Sequence, residues 1–169
     1  MPLIGRRSLS AVVVAAALAV LAPSPASAAP YDPYTDTNPQ TTGCAADAVT
    51  IASRDIKSPQ AVHGLMEVRY SPTCGTNWVR ATVYVTQPTG TVVKGIRRPS
   101  SQPDGHGGWL GFYEQRESDP AVGATFGMQV YAPGSTCVFA MAEIRDSTGQ
   151  VVASTGTSVP YYDPWVPFC

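Results

Sequence analysis

The chain contains two histidines, and one of them lies beside an acidic residue in a glycine-rich stretch. His106 follows Asp104 in the segment DGHGG, and Asp104 and His106 are the candidate pair for hydrolysis or for metal ligation. Histidine is the side chain whose ordinary pKa suits general-base chemistry near neutrality. A solvated turn explains the same segment, since Asp and Gly both favour bends, and the sequence favours this second interpretation. His63 precedes Gly64 at a predicted turn and has no obvious partner.

The carboxylates offer no better catalytic set. A glycosidase needs two facing carboxyl groups, but Glu114 and Glu117 are three residues apart and fall on opposite faces of a continuous strand. Asp32, Asp36 and Asn38 supply oxygens that suit calcium, yet the EF-hand spacing is absent. No GxSxG motif is present. We therefore expect no catalytic residue, no metal and no cofactor.

Aromatic residues next to Asp and Pro occur twice, as YDPY at 31–34 and YDPW at 162–165. Tyr and Trp beside Asp can stack on sugar rings and hydrogen-bond their hydroxyls, and they can equally anchor a protein interface. The alternative, which the sequence favours, is that both ends cover open edges of a sheet. The residues concerned are Tyr31, Tyr34, Tyr162 and Trp165.

A further aromatic candidate is Trp78, which alternates with Arg80 along a predicted strand and has Arg69 on the preceding one. A cation–π cluster on the outer face of this hairpin would follow. Contact with a second layer, or with solvent, is the alternative.

The four cysteines are Cys44, Cys74, Cys137 and Cys169. An even number in an exported domain indicates two disulfides, and three pairings are open. We favour Cys44–Cys74 and Cys137–Cys169, which join sequence neighbours and close loops of similar length. A zinc site is disfavoured because the spacings lack paired CxxC motifs.

The first 28 residues have the three parts of a secretory signal peptide. Arg6 and Arg7 precede an apolar run at 11–22, and Ala26-Ser27-Ala28 is the predicted cleavage site. The run is too short for a membrane span, which needs about 20 residues, although an uncleaved anchor and the twin-arginine route stay open. Loss of two arginines leaves nine basic against 12 acidic residues, a net charge of −3. This balance argues against a nucleic-acid partner, and we expect a secreted, extracellular protein without a membrane span.

Short alternating segments separated by Gly and Pro clusters predict strands rather than helices. Residues 65–71 and 77–86 alternate with period two around the turn 72–75, which indicates an antiparallel hairpin. Further strands are predicted at 91–97, 109–115, 126–132, 137–145 and 150–155, with a turn at 87–90. Residues 45–56 are ambiguous. The fold class is therefore all-β, a single antiparallel β-sandwich or small β-barrel held by two disulfides.

The motifs GCAADAVT at 43–50 and EVRYSPTC at 67–74, followed by Thr76, Trp78 and Arg80, resemble the bacterial family catalogued as domain of unknown function 2690. The resemblance covers about residues 43–83. It implies a disulfide-containing extracellular β domain and supports pairing Cys44 with Cys74. It implies no activity.

We expect a signal peptide at 1–28, an extended leader at 29–43 and one β domain at 44–169. The predicted function is a non-catalytic extracellular binding or interaction module for a cell-envelope polymer, a glycan or another exported protein, working as a monomer. The alternatives are a secreted hydrolase that uses His106 with Asp104, and a protease inhibitor.

Overall fold

A computed structural model describes residues 33–99, 112–156 and 163–169, which form an all-β protein closed into a small barrel. The predicted class is confirmed, and of the two predicted architectures the barrel is the one formed. One 3-10 turn, Cys44–Asp47, precedes the first strand. The strands are β1 (Val49–Lys57), β2 (Val62–Ser71), β3 (Thr76–Pro99), β4 (Phe112–Phe126), β5 (Val130–Tyr131), β6 (Val138–Arg145), β7 (Val151–Ser154) and β8 (Val166–Phe168). The predicted signal peptide lies outside the described residues.

The hairpin of β2 and β3 forms as its alternation predicts. Its antiparallel register runs from Ser71 opposite Thr76 to Gly64 opposite Val83. The N–H of Gly75 donates to the carbonyl oxygen of Ser71 at 2.8 Å and closes the turn. Gly75 has φ +65, a left-handed conformation in which glycine avoids the steric cost of a side chain.

β3 continues through residues 87–90, so the turn predicted there is wrong. The strand keeps β4 as its partner on both sides of an irregularity between Val83 and Thr91. Because β4 pairs with the backbone before and after this point, the Pro- and Gly-containing segment acts as a bulge that bends the strand.

The barrel closes because the two halves of β3 pair with different strands. Its first half pairs with β2, and residues 91–97 pair with β6. The circuit runs β3-β2-β1-β7-β6 and returns to β3. The β1–β7 seam contains the register pair Lys57 and Ser154. Beyond it, β8 pairs with β6, with Phe168 opposite Val138.

β4 differs from the prediction, which placed strands at 109–115 and 126–132 and none between them. The strand occupies Phe112–Phe126, whereas the second predicted segment contains only the two-residue β5. The polar composition of 114–119 hid the strand from a hydrophobicity pattern. It forms because a long neighbour, β3, supplies hydrogen-bond partners along its length.

Apolar side chains line most of the barrel interior. Val79, Ala81 and Val83 face inward before the irregularity in β3, and Val92 and Ile96 face inward after it. The inward-facing positions change from odd to even numbers. Between Val83 and Thr91 the chain of β3 advances eight residues while β4 advances three, and this odd excess of five moves every following side chain to the other face. Lys94, between Val92 and Ile96, therefore also faces inward and is fully buried.

Both favoured disulfides are formed, Cys44–Cys74 and Cys137–Cys169. The first lies in a second apolar cluster with Trp78, against which Tyr34 and Phe126 pack. The described part of the predicted leader, residues 33–43, forms turns, and the N–H of Asp36 donates to the carbonyl oxygen of Gln129 at 3.0 Å. Among the described residues, no helix is long and apolar enough to span a membrane.

Candidate functional site

Trp165 immediately precedes β8 and packs across the sheet onto β3. Its Cη2 atom would be 2.8 Å from a Cβ built on Gly95, and Cγ of Met141 would be 3.0 Å from the same point. The absence of a side chain at Gly95 therefore creates the space that the indole occupies. The backbone N–H of Trp165 donates to Asp163 Oδ1 at 3.0 Å, which orients the chain entering β8.

Two arginines surround this indole. The Arg97 guanidinium carbon lies 4.3 Å from the Trp165 ring centroid and 5.4 Å from the Phe139 centroid, and the Arg116 carbon lies 5.4 Å from the Trp165 centroid. Glu114 bridges the two cations, at 3.8 Å from Arg97 and 3.5 Å from Arg116. The result is a rigid aromatic and charged surface, which we call the tryptophan face (Arg97, Glu114, Arg116, Phe139, Trp165).

A groove of about 250 Å³ opens beside the tryptophan face, between β1 and β8. Arg54 lies on its β1 side and Asp163 on its β8 side, with the half-buried Trp165 between them in the lining. The remaining lining residues are Thr155, Gly156, Val166 and Pro167. A groove with one indole, one cation and one carboxylate offers an apolar contact together with a donor and an acceptor.

A second charged cluster lies between β3 and β4, with Lys94 in the barrel interior and the Asp119 side chain 39% exposed at its edge. The Lys94 side chain has no exposed surface, and its ammonium group pairs with Asp119 Oδ2. Glu117 lies directly opposite Lys94 in the β3–β4 register. Both side chains approach Gly127, where a built Cβ would lie 3.9 Å from Glu117 Oε2 and 4.0 Å from Lys94 Cε. We call Lys94, Glu117 and Asp119 the interior triad.

Burial raises the pKa of Glu117 above its ordinary value. The charge of Lys94 and a hydrogen bond from the Met128 backbone act in the opposite direction, while the negative charges of Asp119 and Asp36 add to the rise. A raised pKa increases the fraction of Glu117 that is protonated at a given pH, which suits this carboxyl group to proton transfer.

On the outer face of the hairpin, Glu67 organises a separate network. Arg80 donates to its two carboxylate oxygens at 2.6 and 2.8 Å, and Thr50 donates at 2.8 Å. Arg69 donates to the Thr50 hydroxyl at 2.7 Å and to the Ala48 carbonyl oxygen at 2.6 Å. The hydrogen bond from Arg80 is the main cause that lowers the pKa of Glu67.

The candidate residues from the sequence separate into distinct places. Trp78 is 4% exposed, beneath the Cys44–Cys74 bond and against Tyr34. Arg69 and Arg80 hold the Glu67 network. Trp165 lines the groove beside the tryptophan face.

The candidate catalytic pair Asp104 and His106, and the aromatic candidates Tyr31 and Tyr162, lie outside the described residues. His63 is half-buried, and its Nε2 lies 3.0 Å from the hydroxyl of Ser58. The described residues contain no group of three or more His, Cys, Asp or Glu side chains placed to hold a metal ion.

Several site residues were not identified from the sequence. Arg97 and Arg116 reach Trp165 through a strand pairing between distant segments, which no local pattern reports. Glu114 and Glu117 fall on opposite faces of β4, as their spacing predicts. Glu114 pairs with the outer arginines, and Glu117 lies opposite Lys94 in register. Their separate environments become visible only once β4 is paired with β3.

Residues 32–109 match the model of the protein family of unknown function DUF2690. The match confirms the resemblance inferred from the cysteine-containing motifs. It includes β1 to β3, and with them Arg54, Lys94 and Arg97. Glu117, Asp119 and Trp165 lie beyond the matched segment, so both clusters combine matched and unmatched parts of the chain.

No curated protein matches the chain. Among solved structures, an endonuclease/exonuclease/phosphatase from Beutenbergia cavernae aligns with 15% identity and a TM-score of 0.34. The alignment covers 62% of this chain and 26% of that structure, so the chain spans about a quarter of that structure's length.

Proposed function

We propose that the protein is an exported, non-catalytic binding module that holds a carbohydrate polymer of the cell envelope in the groove beside Trp165. The two disulfides and the signal-like N-terminus support export, because disulfides persist in oxidising compartments. The family match adds no activity, since the family is one of unknown function.

The observation that carries the proposal is the placement of Trp165 in the groove with Arg54 and Asp163. An indole supplies a large contact area for the apolar face of a sugar ring and loses little conformational entropy on binding. Arg54 is a donor for sugar hydroxyls or carboxylates, and Asp163 is an acceptor for hydroxyls. Packing on Gly95 and stacking on Arg97 hold the indole in place before a ligand arrives, which lowers the ordering cost of binding.

Co-sedimentation of the mature protein with purified cell-wall material and with insoluble glycan polymers tests the proposal. We expect saturable retention of the wild type. Removing an aromatic anchor from a binding groove costs about 2 kcal/mol or more, so Trp165→Ala should raise Kd by about thirtyfold. Tyr84→Ala is the matched control, because Tyr84 is an exposed aromatic residue that does not line this groove.

Arg54→Ala provides a second test that leaves the indole packing intact, since Arg54 is exposed on β1. Lys57→Ala removes a cation from the same strand outside this groove and should bind as the wild type does. Failure of the wild type to sediment with any of these polymers overturns the proposal. Equal binding by wild type, Trp165→Ala and Arg54→Ala would place the binding surface elsewhere.

A further inference from the structure

The interior triad brings an amine and a carboxyl group together where water is largely excluded from the amine. Lys94 is fully buried and contacts Asp119 directly, from adjacent antiparallel strands. Apolar side chains precede and follow Lys94 on its inward face, at Val92 and Ile96. The Asp119 side chain is 39% exposed, so the desolvation cost falls mainly on the Lys94 ammonium group and offsets much of the attraction between the two charges. A gain in folding stability therefore does not account for a buried lysine paired with Asp119 at this position.

We propose that Lys94 and Asp119 condense to an intramolecular amide bond, with Glu117 as the proton-transfer group. The Lys94 nitrogen attacks Cγ of Asp119, a new N–C bond forms, and one C–O bond breaks. An ammonium and a carboxylate thus become an amide and one molecule of water. No oxidant, reductant or activated intermediate is needed, because the reaction is a dehydration.

Two physical factors favour this reaction over the same reaction in solution. The reactants are held in contact by the fold, which replaces an encounter by an effectively unimolecular step. Burial of Lys94 also leaves its nitrogen without a hydration shell that would have to be displaced before attack. The reactive combination is the neutral amine with the neutral acid, and transfer of one proton from the ammonium to the carboxylate supplies it.

Glu117 is the group that we assign to proton transfer between the Lys94 nitrogen and the Asp119 oxygens. It lies across from Lys94 in register and on the same inward side as Asp119, two residues along β4. Glu117 Oε2 and Lys94 Cε lie 3.9 and 4.0 Å from a Cβ built on Gly127, and both residues line the same small cavity. As the Lys94 nitrogen attacks, a protonated Glu117 donates its proton to the Asp119 carbonyl oxygen and then accepts one from the nitrogen. It next donates that proton to the leaving hydroxyl, which departs as water, and takes back the proton of the remaining hydroxyl as the amide carbonyl re-forms. Burial raises the pKa of Glu117 and so favours the protonated form that begins this sequence.

Intact-mass measurement of the mature wild-type protein, after full reduction of both disulfides, is the direct test. We expect a mass lower than the sequence mass by that of one water molecule. Trypsin should then release a branched species that joins peptide 81–97, uncleaved after Lys94, to peptide 117–145. A full sequence mass, or a water loss that the peptide map places anywhere else, overturns the proposal.

Variants assign the roles within the triad. Lys94→Met and Asp119→Ala should both show the full sequence mass. Glu117→Gln keeps the shape of the side chain and should also show the full mass while remaining folded by circular dichroism. A folded Glu117→Gln protein that is cross-linked as completely as the wild type would overturn the role of Glu117. Glu114→Gln is the control, because it removes the same charge from the outer side of β4, where Glu114 contacts Arg97 and Arg116, and it should be cross-linked as the wild type is.

Discussion

The indole of Trp165 occupies the space above Gly95, and the two residues are joined only through the pairing of β8 with β6 and of β6 with β3. A Cβ at Gly95 would stand 2.8 Å from Trp165 Cη2, closer than such atoms approach in proteins. Glycine is needed here for close approach rather than for an unusual backbone angle. This contact fixes the indole against Arg97 and at the edge of the groove.

Gly95→Ala should displace the indole of Trp165. The added methyl group would also lie 3.0 Å from Met141 Cγ, so it is crowded by two side chains at once. Overpacking of this kind costs about 1–3 kcal/mol, and we expect that loss in the free energy of unfolding measured by urea denaturation. The indole N–H resonance of Trp165, assigned with Trp165→Phe, should shift because its stacking on Arg97 changes.

Gly127→Ala is the control for the glycine substitution. A Cβ there would lie no closer than 3.9 Å to any neighbour, so the free energy of unfolding should change little and the Trp165 resonance should stay in place. Equal destabilisation by the two substitutions would show that loss of glycine, rather than the contact with Trp165, is responsible.

The sequence predicts those parts of the fold that depend on local alternation. The β2–β3 hairpin follows from period two around a turn, and the disulfides follow from pairing neighbouring cysteines. The inward position of Lys94 could not be predicted, because Val92 and Val93 are both apolar and the irregularity after Val83 decides which face is buried. Contacts such as Gly95 with Trp165 depend on pairings between distant strands.

Arg80 has a structural role in the outer face of the hairpin, and its substitution tests this role against ligand binding. Arg80→Ala removes the two hydrogen bonds to Glu67 and should lower the free energy of unfolding by about 1 kcal/mol, a small value because Arg80 is 43% exposed. Arg80→Lys retains the charge but loses the paired geometry, so it should lose less stability. Sedimentation with glycan polymers should be unchanged in both variants.

The same substitution should change the titration of Glu67. The pKa of Glu67 is lowered mainly by its hydrogen bond with Arg80. The stabilisation that ionised Glu67 gives the folded state is therefore present above its ordinary pKa and is lost as the pH falls. Arg80→Ala should move the pKa back towards 4.5, the ordinary value. Carboxyl-carbon NMR titration measures this shift, and an unmoved pKa would contradict the assigned cause.

Asp47 makes the stability of the hairpin turn sensitive to acid. Its carboxylate accepts hydrogen bonds from the Ser71 hydroxyl at 2.6 Å and the Thr73 N–H at 2.9 Å, and these bonds lower its pKa from 3.8 to about 2. Because the folded-state pKa is depressed, the stabilisation is present above 3.8 and is lost as the pH falls towards 2.

Asp47→Asn should therefore be less stable than the wild type near neutrality, and the difference should shrink as the pH falls from 3.8 to about 2. Urea denaturation of both proteins across this range measures the effect. Asp55→Asn, at an exposed position on β1, is the control for the removal of a negative charge. A stability difference between wild type and Asp47→Asn that does not depend on pH would contradict the assignment.

The Cys137–Cys169 bond should matter for the groove as well as for stability. β8 contains three residues, and its register with β6 and this disulfide attach it to the barrel. Replacing both cysteines by serine should lower the free energy of unfolding by about 3–4 kcal/mol in the chain-entropy model. It should also weaken glycan retention, because Trp165, Val166 and Pro167 line the groove from this segment.

The Cys44→Ser/Cys74→Ser protein is the control. The two disulfides close loops of similar length, with separations of 30 and 32 residues, so this variant should lose comparable stability. Neither Cys44 nor Cys74 lies in the segments that line the groove, so the folded variant should still bind glycan. Equal retention of glycan by both folded variants would show that β8 keeps its position without the disulfide.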